Sequence, residues 1–221
     1  MFLEYFKVPA SIVAEACYQT LYMVGLSLIV GAVLGMILAL VIVLTKPDGL
    51  WENGVFYSVI STCVNIIRSI PFIILIVAIM PLTKLLAGTR VGTTAALIPL
   101  VVHITPYLSR LFENSLLEVD SGVIEAAKSM GATTRQIIWH FLLPEAKPSL
   151  ILALTTGTIG LLGSTASAGA VGAGGVGNLA LMYGYQRMNT PLMLLTVFIL
   201  IVFVQLIQMA GNKIAQRLRH K

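Results

Sequence analysis

The side chains of this sequence that could do chemistry are few, and most stand inside apolar stretches. His103 sits beside Thr105 and Pro106 in one such stretch, and Ser164 lies in another. Nucleophilic catalysis requires a base within reach of the nucleophile, and a proton relay across a membrane requires a carboxylate beside the histidine. Neither spacing is present, so an enzyme is not expected and His103 is read as a packing residue. Cys17 and Cys63 are too few for a disulfide framework or a metal cage, and no metal site is expected. The run GAGGVG places Gly172, Gly174 and Gly177 in the order G-x-G-x-x-G. A dinucleotide fingerprint also needs a preceding strand and an acidic residue about 20 positions on. This run follows an apolar segment instead, and no Asp or Glu occurs after Glu145. Gly172, Gly174, Gly175 and Gly177 are therefore read as permissive backbone, a place for close packing or for a hinge or gate.

Arg68 is the most demanding side chain. An Arg near the middle of a membrane-crossing helix costs at least about 2.5 kcal/mol on insertion scales, so something must compensate it. At 100° per residue Ser58, Ser61, Thr62, Asn65 and Ser69 share one helix face, with Arg68 at its edge and Pro71 one turn beyond. Two readings stay open for Asn65, Arg68, Ser69 and Pro71: a translocation pathway or water-filled vestibule, and a hydrogen-bonded contact between helices with Arg68 snorkelling inward.

The elements that must position these residues follow from composition. The chain has 221 residues, of which 57% are hydrophobic and 10% charged, against roughly 25% charged in a soluble domain. Crossing a hydrocarbon core of about 30 Å takes about 20 apolar residues. Five windows qualify, at about 18–44, 57–82, 93–112, 148–170 and 191–210. The expected fold is thus an all-α integral membrane protein of about five transmembrane helices, a single domain over 1–221. Gly31 and Gly35 form a G-x-x-x-G in the first window, which permits close helix contact, and Gln205 and Gln208 in the last are read as packing residues. Glu4 and Glu15 ahead of so long an apolar run argue against a cleaved signal peptide.

Five spans put the termini on opposite sides. The basic tail Lys213, Arg217, Arg219 and Lys221 follows the last window directly, and the positive-inside tendency assigns it to the cytoplasm. With Lys46 and the stretch from Arg110 to Lys147 on the same side, nine basic residues lie inside, and Lys7, Lys84, Arg90 and Arg187 lie outside. The formal charge of +5 is explained by this orientation rather than by nucleic acid.

The one sizeable polar connection, about 113–147, carries five of the nine acidic residues and is the expected docking site. Val123 to Met130 reads as a short helix, and Gly131 gives the freedom to turn. Thr133 and Gln136 fit a capping box that starts a second helix through Ile137, Ile138, Phe141 and Leu142, which Pro144 is expected to end.

EAAKSMG followed by ATTRQIIWHFLLP resembles the EAA loop of ABC importer permeases: EAA, three residues, Gly, nine residues, Ile, any residue, Leu, Pro. Every spacing matches, and Phe141 stands where Ile is usual. RSIPFIIL from Arg68 and AVGAGGVGNLALMYGYQRMN resemble the methionine-importer branch of these permeases. The resemblance implies a type I importer permease fold, in which Glu125, Ala126, Ala127 and Gly131, with Phe141, Leu143 and Pro144, couple to a separate ATPase. It further implies a second permease copy, an ATPase pair that binds ATP and Mg, an extracytoplasmic binding protein, a bacterial inner membrane, and import of a small amino acid such as D- or L-methionine by alternating access. None of the lysines closes a G-x-x-x-x-G-K-[ST] run, so ATP chemistry belongs to another chain. Rival readings are a permease for another small solute and an ion-coupled secondary transporter.

Overall fold

The computed structural model describes residues 8–219; Glu4, Lys7 and Lys221 lie outside them. Among the described residues nine helical segments follow in order: α1 (Ala10–Thr45), α2 (Gly54–Ser69), α3 (Phe72–Ala78), α4 (Met80–Ala87), α5 (Thr93–Leu117), α6 (Ser121–Ser129), α7 (Thr134–Gly169), α8 (175–185) and α9 (Thr190–Arg219). Four of them, α1, α5, α7 and α9, are long and apolar enough to cross a membrane. The broken pair α2 and α3 makes a fifth span if counted as one.

The window at 57–82 is therefore not one straight span. The chain bends by 101° between α2 and α3. Pro71 is the cause: its ring crowds the preceding residue out of helical geometry and it has no N–H to donate. It adopts φ −55°, ψ 134° and caps α3. Arg68 consequently lies in the last turn of α2 rather than in mid-span.

Pro144 does not end a helix. Residues Ile137–Leu142 form a π-helical stretch, with the Leu143 N–H bonded to the carbonyl of Ile138, five residues back. That wide turn admits one extra residue, so a proline that lacks a donor enters the helix at the point where the regular pattern is already shifted. α7 thus runs through for 36 residues, from Thr134 to Gly169. The ends of the connection expected at 113–147 accordingly lie within helices, Glu113 in α5 and Lys147 in α7.

The chain divides into two compact units. In one, built from residues up to 31, 70–104 and 158–207, Val8, Ala16, Val176, Leu179 and Leu192 form a buried cluster. α8 begins here on glycines of positive φ, Gly174 at 82° and Gly175 at 78°. Its first amides are taken up by α1: the Gly175 N–H donates to Gln19 Oε1 at 2.7 Å and the Val176 N–H to Thr20 Oγ1 at 2.9 Å. His103 packs against Phe72 with ring centroids 4.9 Å apart.

In the other unit, 32–69, 105–157 and 208 onward, Gly35 allows α1 to approach α5. A Cβ there would lie 3.0 Å from both the Leu108 Cβ and the Thr105 carbonyl. α1 ends where Pro47 cannot continue it, and the chain folds back so that Trp51 and Asn53 donate to the carbonyls of Leu44 and Thr45. Asn53 then caps α2 by accepting the Phe56 N–H at 3.1 Å.

Large apolar side chains stay exposed along α1 and α9, among them Leu21, Ile29, Val33, Leu194, Phe198 and Ile201. A chain that leaves such faces uncovered in water would aggregate, whereas lipid solvates them without cost.

Candidate functional site: the coupling helix and the polar face of α2

The residues with the EAA spacing form a short helix defined at both ends. Asp120 caps α6 by accepting the Gly122 N–H at 2.7 Å. At the other end the Gly131 N–H bonds the Lys128 carbonyl at 2.9 Å and the Ala132 N–H bonds the Ala127 carbonyl at 3.1 Å. This pair of bonds is a Schellman motif, which needs a left-handed residue at its turn. Gly131 supplies it with φ 77°.

Two residues later Thr133 and Gln136 cap α7 reciprocally, the Thr133 N–H donating to Gln136 Oε1 at 2.8 Å and the Gln136 N–H to Thr133 Oγ1 at 3.4 Å. α6 packs on the π-helical start of α7. Ala127 and Ile137 are buried, while Glu125, Ala126, Met130 and Gly131 face outward. The small Ala126 and the bare Gly131 leave room for close approach by another surface. Phe141, Leu143 and Pro144 are half-buried and Leu142 is buried, so the apolar end of the EAA pattern serves the seat of α6 rather than its exposed face. A cavity of about 300 Å³ lies under α6, bounded by the turn at Lys46–Leu50, Leu116, Ile124 and Ile137.

Asn65, Arg68 and Ser69 come together on α2 in the same unit, all exposed. Ser58 and Thr62 extend that exposed polar face. Ser69 donates its hydroxyl to the Asn65 carbonyl at 2.8 Å. The Arg68 guanidinium carbon lies 6.0 Å from the Tyr107 ring centroid. Pro71 is exposed at the start of α3. The glycines belong to the other unit, where a Cβ on Gly177 would lie 2.4 Å from the Cα and carbonyl oxygen of Ala166, while one on Gly172 would meet Val91 only at 3.7 Å.

Ser61, expected on the polar face, turns instead to an arginine on α5. Arg110 donates to Glu113 at 2.6 Å and to the Ser61 carbonyl at 2.9 Å and hydroxyl at 2.5 Å. By sequence Arg110 falls near the end of the apolar window at about 93–112 and Glu113 at the start of the polar connection, with no partner indicated for either. Their i, i+3 spacing with opposite sign was the available signal, but nothing local announces the tie to Ser61. Gln19, Thr20 and Asp120 were likewise not singled out.

The side chains of Arg110 and Glu113 are 15% and 9% exposed, so removing one partner strands the other. Arg110→Met should lower stability by about 3 kcal/mol, and Arg110→Met combined with Glu113→Leu should recover most of that. Unfolding in detergent micelles, followed through the full double-mutant cycle with Glu113→Leu alone, measures it; a double-variant loss equal to the sum of the two single losses would show that the pair is not coupled.

Residues 31–220 match the family described as binding-protein-dependent transport system inner membrane component. The chain is 50% identical over 216 residues to the methionine import system permease protein MetP of Bacillus subtilis, covering 97% of each. It is 44% identical over 218 residues to a probable D-methionine transport system permease protein MetI of Vibrio cholerae, covering 99% of this chain and 97% of that one. A solved MetNI methionine ABC transporter in an inward-facing conformation contains a chain of the same fold, with a TM-score of 0.93, 41% identity, and coverage of 95% of this chain and 97% of that chain. The chain belongs to the family of binding-protein-dependent transport system inner membrane components and is a non-catalytic, multi-pass permease of an ABC importer.

Proposed function

We propose that this permease carries methionine, in D- or L-form, into the cytoplasm, working as two copies with two ATPase subunits and an extracytoplasmic binding protein. ATP and Mg are held by the ATPase, whose surface receives α6. The observation that carries this reading is the construction of α6, a nine-residue helix capped by Asp120, closed by the Gly131 turn, and leaving Glu125, Ala126 and Met130 outward.

Such an element transmits force. Both its ends are fixed by backbone hydrogen bonds, and the Thr133 cap joins it directly to a helix that runs from Thr134 to Gly169. A displacement of α6 is therefore passed into α7 without a flexible linker to absorb it. ATP-driven closure of the paired ATPases would shift two such helices and favour one of the two access states over the other. The basic residues support a cytoplasmic C-terminus and an outward N-terminus, which places α6 on the ATPase side.

The test is uptake of labelled methionine by proteoliposomes containing the permease, its ATPase and the binding protein. Uptake should require ATP inside and reject a nonhydrolysable analogue. Accumulation driven by a proton or sodium gradient with no nucleotide present would overturn the reading.

A further inference from the structure

We infer that the last turn of α2 is a binding site for the zwitterionic end of the transported amino acid, with Arg68 receiving its carboxylate. This rests on the reading of the chain as an amino-acid permease and goes further, since it assigns a contact within the permease itself.

Arg68 and Arg110, on two helices of this unit, stand in contrasting states. Arg110 is held by Glu113 and Ser61 through its two terminal nitrogens. Among the described residues, no carboxylate lies within pairing distance of Arg68, whose recorded neighbour is the face of the Tyr107 ring. A ring beneath a guanidinium orients it by cation–π attraction but accepts none of its in-plane N–H groups. Arg68 is exposed, as are Asn65 and Ser69 beside it on α2. A guanidinium so placed is a bidentate receptor for a carboxylate.

The complementary half of the site is backbone. A helix leaves its last four carbonyls without amide partners, and they carry the negative end of its dipole. The break after Ser69 exposes this end of α2, and Pro71, having no N–H, cannot serve the Ile67 carbonyl. The Asn65 carbonyl already accepts from Ser69, so the carbonyls beyond it at the helix end are the acceptors left among the described residues. A cationic guanidinium and a turn of free carbonyls, at neighbouring positions on one helix end, match a carboxylate and an ammonium on one α-carbon. The pattern asks nothing of the substrate's side chain, so it selects α-amino acids as a class.

The experiment uses the complete permease–ATPase complex without the binding protein, so that receptor selectivity does not enter. Phenylglyoxal, which modifies arginine, is applied in the presence of methionine or of methioninamide, and modification of the Arg68 peptide is read by mass spectrometry. Methionine should slow modification at Arg68 several-fold and methioninamide, which lacks the carboxylate, should not. In proteoliposomes with the binding protein, Arg68→Gln should raise the KM for methionine about 10-fold or more, with Arg68→Lys in between because it keeps the charge but not the fork. Equal protection by both compounds, or an unchanged KM in Arg68→Gln, overturns the inference alone. A wild-type complex that imports no amino acid overturns the proposed function, and this site with it.

Discussion

Gly177→Ala should unfold much of the permease, although it adds a single methyl group. A Cβ at that position falls 2.4 Å from both the Cα and the carbonyl oxygen of Ala166, and one on Gly169 falls 2.3 Å from the amide nitrogen of Asn178. All these neighbours are backbone, so no rotamer change relieves the overlap. The two glycines let the end of α7 and the start of α8 meet main chain to main chain. α8 cannot yield, because the Gly175 and Val176 amides are bonded to Gln19 and Thr20 of α1 and Val176 is fully buried. The expected loss reaches or exceeds the top of the usual overpacking range of about 1–3 kcal/mol. Gly25→Ala is the control. A Cβ there meets nothing within 4 Å, and replacing a helical glycine with alanine should be neutral or stabilising by about 0.5–1 kcal/mol. Monodisperse yield after detergent extraction and the thermal midpoint of the two variants give the comparison. Indistinguishable midpoints would refute the backbone contact.

The contrast between these two glycines shows what a sequence discloses and what it withholds. Local devices were legible: the Thr133–Gln136 box and the Gly131 turn depend on residues within a few positions of one another, and both formed as the pattern required. The apolar windows were legible because a bilayer imposes one length on every crossing helix. Pro71 and Pro144 carry the same local signal yet act oppositely. The first breaks a helix at Ile70, while the second is absorbed by the π-helical stretch that precedes it. A π turn has no signature in residue type, so its effect on Pro144 could not be foreseen. Ser61 and Arg110 are 49 positions apart, and no periodicity within either helix reveals that pairing. Arg68 was visible as a charge that needs an explanation. Among the described residues no carboxylate pairs with it, and the ligand site inferred above is our answer to that.

Gly131→Val should reduce ATP-driven uptake by an order of magnitude or more while leaving the folded permease nearly as stable as the parent. Gly131 is exposed and a Cβ there would meet nothing within 4 Å, so the substitution creates no clash with neighbouring side chains. The difficulty is internal: at φ 77° an L-residue places its Cβ against its own backbone, at about 1–2 kcal/mol, and a β-branched residue fares worse. The Schellman bonds from Gly131 and Ala132 to Lys128 and Ala127 must then loosen. What they hold is the direction in which α6 leaves α7, and few buried contacts depend on it, since Ala127 alone of α6 is buried. Stability therefore changes little, whereas the angle at which Glu125 and Ala126 meet the ATPase is lost. Asparagine tolerates the left-handed region better than valine, so Gly131→Asn should keep a measurable part of the uptake. Copurification of the ATPase with each variant separates weakened docking from failed transmission. If the valine variant transports like the parent, the turn at Gly131 is not what couples the two proteins.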